Sequence, residues 1–142
     1  MAETNCAPQF PAAKWPPFLL ASLVAVVSVC PYAGCWNDGS RLASVESLVD
    51  RHTFVIDDSI FVAVPPGGSP YRGPALDRGT LDKLFINGHF YSDKSPVPAL
   101  LLALVYGGLQ ALFGLHVRLQ AGLFCYLLTI ASSGGAYVVA VA

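Results

Sequence analysis

Three stretches without a single charged residue, 18–36, 97–115 and 119–142, constrain most strongly what this chain can become. A helix needs about 20 mostly apolar residues to cross the hydrocarbon core of a bilayer, and each stretch is close to that length. Inside them lie Ala103, Gly107, Gly108, Gly122, Gly134 and Gly135, small residues that suit close helix–helix contact in lipid. A soluble domain of 142 residues cannot enclose three such helices and still give each a polar face. The expected fold class is an all-α multi-pass membrane protein, with three transmembrane helices and a small extracytoplasmic loop region.

Charge supports that reading and removes others. Only 12% of the residues are charged, about half the share of a typical soluble domain. The formal net charge of -1 leaves no basic field for nucleic acid, which is excluded as a partner. Cys6, Cys30, Cys35 and Cys125 form no CxxC pair, so neither a zinc site nor a disulfide framework is indicated.

The expected organisation is a cytoplasmic tail over 1–17, a first span over 18–36, an extracytoplasmic connector over 37–96, a second span over 97–115, a short cytoplasmic turn over 116–118 and a third span over 119–142. Lys14 and Arg118 are the cations that assign their segments to the cytoplasm, as in a bacterial inner membrane. The alternative of a cleaved signal, with Tyr32-Ala33-Gly34-Cys35 as a lipoprotein-like box, meets an apolar stretch longer than a usual signal core and a single preceding cation. The last residues, Tyr137 to Ala142, offer no polar cap to a spanning helix, so further spans are expected beyond them.

Within the connector, Leu42, Val45, Leu48 and Val49 recur at helical spacing among polar residues that include Glu46, Ser47 and Asp50. That pattern predicts an amphipathic helix over about 40–51, capped by Asp38 or Ser40 and lying on the membrane surface or on the spans. Thr53–Ile56 and Phe61–Val64 read as short extended pieces, with a turn at Pro65-Pro66-Gly67-Gly68. Lys83–Ile86 and His89–Ser92 flank Asn87-Gly88, the preferred dipeptide of a two-residue hairpin turn, so a hairpin is expected over about 83–92. Ser95 and Pro96 suit the cap and first position of the second span.

Asp38 stands out because a carboxylate at the lipid boundary, beside Arg41 and Trp36, can take a proton from a hydroxyl acceptor. A helix cap paired with Arg41 explains the same spacing. Asp57-Asp58 offers oxygen ligands to a divalent cation or simply forms a solvated turn. His52, His89 and His116 have no shared metal-binding spacing, and Lys94 either meets an anionic phosphate or snorkels to the headgroups.

Asp38-Gly39-Ser40-Arg41-Leu42-Ala43, directly after a first apolar stretch, resembles the Asp-x-x-Arg-aromatic-Ala opening of the first extracytoplasmic loop in integral-membrane glycosyltransferases of the C type. That superfamily includes the protein O-mannosyltransferases and lipid A aminoarabinose transferase. Gly88 to Pro96 resembles their Tyr-x-x-Lys-Pro-Pro segment leading into the second span, and bacterial mannosyltransferase-like members carry stretches similar to Val45–Asp50 and His89–Lys94. The resemblance implies the N-terminal part of an enzyme that moves a sugar from a polyprenyl-phosphate donor to a hydroxyl acceptor. It assigns Asp38 as the catalytic carboxylate, Arg41 as its orienting partner or a phosphate contact, and Lys94 as a candidate for the donor phosphate. Cofactors are none, with a divalent cation left open; the sugar and acceptor are not specified. Gly39 and Ser95 depart from the acid and the first proline of the two motifs. The rival reading is a non-catalytic multi-pass protein, a transporter fragment or assembly factor.

Overall fold

The structure, a computed structural model, describes residues 15–63 and 79–141. It is mostly helical, with four helices and one two-stranded sheet: α1 (Trp15–Ser28), α2 (Trp36–Asp50), β1 (Lys83–Ile86), β2 (His89–Ser92), α3 (Pro96–Phe113) and α4 (Ala121–Val141). A π-helical turn, Ile130–Gly134, interrupts α4. The turn 65–68 expected from the sequence lies outside the described residues.

Two helices are long and apolar enough to cross a membrane, α3 with 18 residues and α4 with 21. The first expected span, 18–36, is not one helix. α1 has 14 residues, about 21 Å of helix at 1.5 Å per residue, and it stops before Pro31. Proline has no N–H to give the carbonyl four residues back, and it pushes the preceding residue out of the α region. After that break Cys35, in extended backbone, caps α2, which begins at Trp36. Asp38 therefore stands in the first helical turn and Ser40 beyond it, so neither is the cap; Ser40 Oγ is instead 2.6 Å from Ser92 Oγ.

α2 does not lie flat with a wet face. Residues Gly39, Ser40, Leu42 to Ser47 are all buried, because α2 packs along α3 on one side and under the following loop on the other. Gly39, Ala43 and Ser47, spaced by four, give the small surface that lets a neighbouring backbone come close. The central core joins α2, α3, α4 and that loop: Val45, Ile56, Phe61, Tyr106 and Phe124 are buried together. The Tyr106 and Phe124 rings meet edge-on with centroids 4.7 Å apart.

The hairpin forms in the expected register, Phe85 opposite Phe90, with Asn87 at φ 51° and Gly88 at φ 88°. Both central residues thus take the positive φ that this turn requires. The free edge of β2 receives Val55 as a bridge to Tyr91, and the Ile56 N–H donates to the Phe90 carbonyl at 2.9 Å. Only that part of 53–56 is strand-like, and Phe61 and Val62 lie in a turn rather than an extended piece. Their backbone closes back on Ser59, which removes the need for a strand partner.

The short turn between α3 and α4 touches the connector. Arg118 donates to the Asp58 carbonyl and lies 3.9 Å from the Glu46 carboxylate.

Candidate active site

The start of α2 sets the site. α1 ends before Pro31, residues 29–35 connect it to α2, and the first turn of α2 places Asp38 beside residues of α1 and α4. Gly34 lies beside it: a Cβ at that position would touch Asp38 Oδ2 at 3.4 Å. The positive end of the α2 dipole favours a carboxylate there.

Asp38 borders two cavities. One, of about 480 Å³, lies between α1, the 29–34 segment and the second half of α4. The other, of about 420 Å³, lies between α2, the start of α3 and α4. Asp38, Thr129 and Ser133 belong to both, so these three side chains form the partition. Thr129 and Ser133 are four apart, but the π-helical turn that begins at Ile130 alters the local pitch between them. Ser132, beside them, turns its hydroxyl back onto the Leu128 carbonyl at 2.8 Å.

Arg41 lines the second cavity with Asp38, together with apolar Leu42, Pro98, Leu101 and Leu102. No ion pair joins Asp38 to Arg41 among the described residues. Both side chains are exposed to the cavity space. The arrangement can offer a proton acceptor and a cation to a bound molecule at once.

Lys94 is elsewhere. Its Nζ lies 2.9 Å from Asp93 Oδ2 and 3.1 Å from Asp82 Oδ2, and those hydrogen bonds raise its pKa above the ordinary lysine value. It lines neither cavity. The structure brings Asp38 and Arg41 together and leaves Lys94 in a separate cluster at the base of the hairpin.

The Asp57 carboxylate is engaged by protein groups, and Asp58 receives Arg118 on its backbone carbonyl. Asp57 takes the Phe90 N–H at 2.6 Å and His89 Nδ1 at 2.8 Å, which holds its carboxyl below the usual range. Among the described residues no three His, Cys, Asp or Glu side chains converge as a metal site. Cys30, Cys35 and Cys125 are free thiols.

The sequence reading overlooked Thr129 and Ser133, whose signal was a pair of hydroxyls one turn apart within an otherwise apolar stretch. It also took Glu46 for a wet residue. Glu46 is fully buried, and the spacing of Gly39, Ala43 and Ser47 was the clue that this helix is covered on more than one side.

The chain matches no protein-family model, no curated protein and no solved structure.

Proposed function

We propose that this chain is the N-terminal part of a multi-pass membrane glycosyltransferase, which moves a sugar from a polyprenyl-phosphate donor to a hydroxyl acceptor on the extracytoplasmic side. The observation that carries the reading is the position of Asp38: one carboxylate on the partition between two cavities, with Arg41 beside it in one of them. A transferase with two substrates needs a base where they meet and a cation where the leaving phosphate gathers charge.

In this reaction the acceptor oxygen attacks the anomeric carbon, and its proton passes to Asp38. The bond from that carbon to the phosphate oxygen breaks, and the phosphate departs as an anion that Arg41 stabilises. Lys94 is held by Asp82 and Asp93, which leaves the phosphate to Arg41.

The outward apolar surface supports a lipid setting. Leu101, Leu104, Leu112 and Phe113 of α3 are all more than half exposed, an apolar stripe larger than a soluble chain leaves to water. It also suits a donor whose chain is dissolved in the bilayer.

The test is transfer from a polyprenyl-phosphate-linked hexose in membranes containing the full-length protein. Asp38→Asn should slow transfer by about 10²- to 10⁴-fold, the usual contribution of a general base, while membrane insertion is unchanged. Arg41→Gln should mainly weaken the donor. Transfer at the wild-type rate in Asp38→Asn would discard the enzyme and leave a non-catalytic membrane protein.

A further inference from the structure

We propose that the cavity between α1 and the second half of α4 is the acceptor site, and that it takes an uncharged, hydroxyl-bearing amphiphile entering from the lipid side. This assignment rests on the reading of Asp38 as the base for a hydroxyl acceptor.

The two cavities differ in charge. Among the described residues Asp38 is the sole charged group lining the α1–α4 cavity, whereas the α2–α3 cavity also holds Arg41. A phosphate placed in the first would face a carboxylate with no cation to offset it, and like charges in an apolar surround repel strongly. In the second, the guanidinium supplies the charge-assisted hydrogen bonds that an anion requires. An amphiphilic anion and a neutral alcohol are therefore sorted to opposite sides of Asp38.

The lining selects further. Ser28, Tyr32, Thr129, Ser133 and Tyr137 bring hydroxyl groups to the α1–α4 cavity, set against Val24, Ala25 and Val29. That mixture suits a ligand with a few hydroxyls and an apolar body, and about 480 Å³ is within the range of small-molecule sites. Buried Ala25 and Gly134 form its floor; a Cβ on Gly134 would be 3.6 Å from the Ala25 Cβ, so the two helices are already close. At the rim Val24 and Tyr137 are 41% and 47% exposed on the apolar outer surface. A lipid-dissolved alcohol reaches the cavity from that side without crossing water.

Cys30 lines this cavity and is exposed, Cys35 is exposed outside both cavities, and Cys125 is buried. The chain thus carries its own reporter and two controls. The wild-type protein in phosphatidylcholine vesicles is treated with N-ethylmaleimide, and alkylation of each cysteine is timed by peptide mass spectrometry. Two probes share one tail: farnesol, an uncharged alcohol, and farnesyl phosphate, its anionic counterpart.

Farnesol should slow alkylation of Cys30 about fivefold at four times its Kd, because protection follows one plus the ratio of ligand to Kd. Cys35 should be unaffected and Cys125 unreactive throughout, which certifies the fold. Farnesyl phosphate should leave Cys30 at its free rate. Equal or better protection of Cys30 by farnesyl phosphate, or none by farnesol, overturns the assignment. The underlying enzyme reading is decided separately. If Asp38→Asn loses transfer but farnesol fails to protect Cys30, the enzyme stands and the acceptor site falls. Farnesol protection alongside undiminished transfer in Asp38→Asn removes the enzyme and with it the acceptor role.

Discussion

The Glu46 carboxylate and the Ser59 hydroxyl meet at 2.6 Å inside the protein, tying α2 to the loop that follows it. The same carboxylate accepts from the Ile60 N–H at 3.1 Å and from Arg51 at 3.1 Å. Arg118, from the turn between α3 and α4, approaches to 3.9 Å. α2, the loop that follows it and the turn between α3 and α4 thus meet at one buried carboxylate.

Removing that anion should be severe. Glu46→Ala leaves the Ser59 hydroxyl and the Ile60 N–H without their acceptor and Arg51 with Ser47 Oγ alone, and each buried donor left unpaired costs about 1–3 kcal/mol. Glu46→Gln keeps one acceptor oxygen and should lose less. Thermal unfolding in detergent micelles ranks the three proteins; an alanine variant as stable as wild type would mean that the carboxylate holds nothing together.

Tyr106 joins the ends of another polar chain. Its hydroxyl donates to Asp50 at 3.2 Å and accepts the Val117 N–H at 3.1 Å. In Tyr106→Phe the ring still packs on Phe124, but the buried Val117 N–H loses its acceptor, at about 1–3 kcal/mol. Denaturant midpoints of the two proteins, compared at equal slope, measure that loss. Phe124→Leu offers a contrast, because it removes the ring contact and leaves the hydrogen bonds in place.

The contact between the hairpin and the loop should respond to acid. The His89 hydrogen bond, then the Phe90 N–H, lower the pKa of Asp57. A depressed folded pKa gives stability that is present above the ordinary carboxylate value of about 3.9 and lost as pH falls through the lower folded value. Asp57→Asn should therefore be less stable than wild type near neutral pH, by about 1 kcal/mol for a half-exposed charge-assisted bond. The gap should close below about pH 4. Stability curves of both proteins across that window decide it, and a gap that widens in acid contradicts the sign.

Glycine-to-alanine changes should separate into three classes. At Gly79, with φ 72°, an added Cβ would lie 2.7 Å from the Val62 carbonyl oxygen, so strain and clash combine. Gly88 has φ 88° but open space around it, leaving only the backbone penalty of about 1–2 kcal/mol. Gly107, in the middle of α3, also meets nothing, and alanine there should stabilise by roughly 0.5–1 kcal/mol through helix propensity. Melting temperatures should rank Gly107→Ala above wild type, then Gly88→Ala, then Gly79→Ala.

Local signals in the sequence were read successfully where the physics is local. Asn87-Gly88 set the hairpin turn and its register, because few residue pairs accept two positive φ values in succession. Pro96 opened α3 for an equally local reason, since proline suits a first helical turn; the end at Gly114, in the left-handed cap at φ 64°, lies one residue inside the expected span. The apolar stretches located α3 and α4 because such long charge-free runs have few other uses. The first stretch misled, since hydropathy averages over Pro31 while the backbone does not.

What the sequence determined by itself was a mostly helical chain with three long apolar stretches, two of which are single helices of membrane-spanning length, a hairpin at a known turn, and a carboxylate at Asp38 next to Arg41. The tertiary structure alone decided that α2 is buried rather than surface-bound, that Glu46 is an internal anchor, that Lys94 is bound elsewhere, and that Thr129 and Ser133 share the Asp38 partition. The reason is range. Turns, caps and apolar runs are fixed by neighbours within a few residues, whereas burial of a polar helix and the meeting of Asp38 with α4 depend on contacts across some ninety residues of chain, which no periodicity encodes.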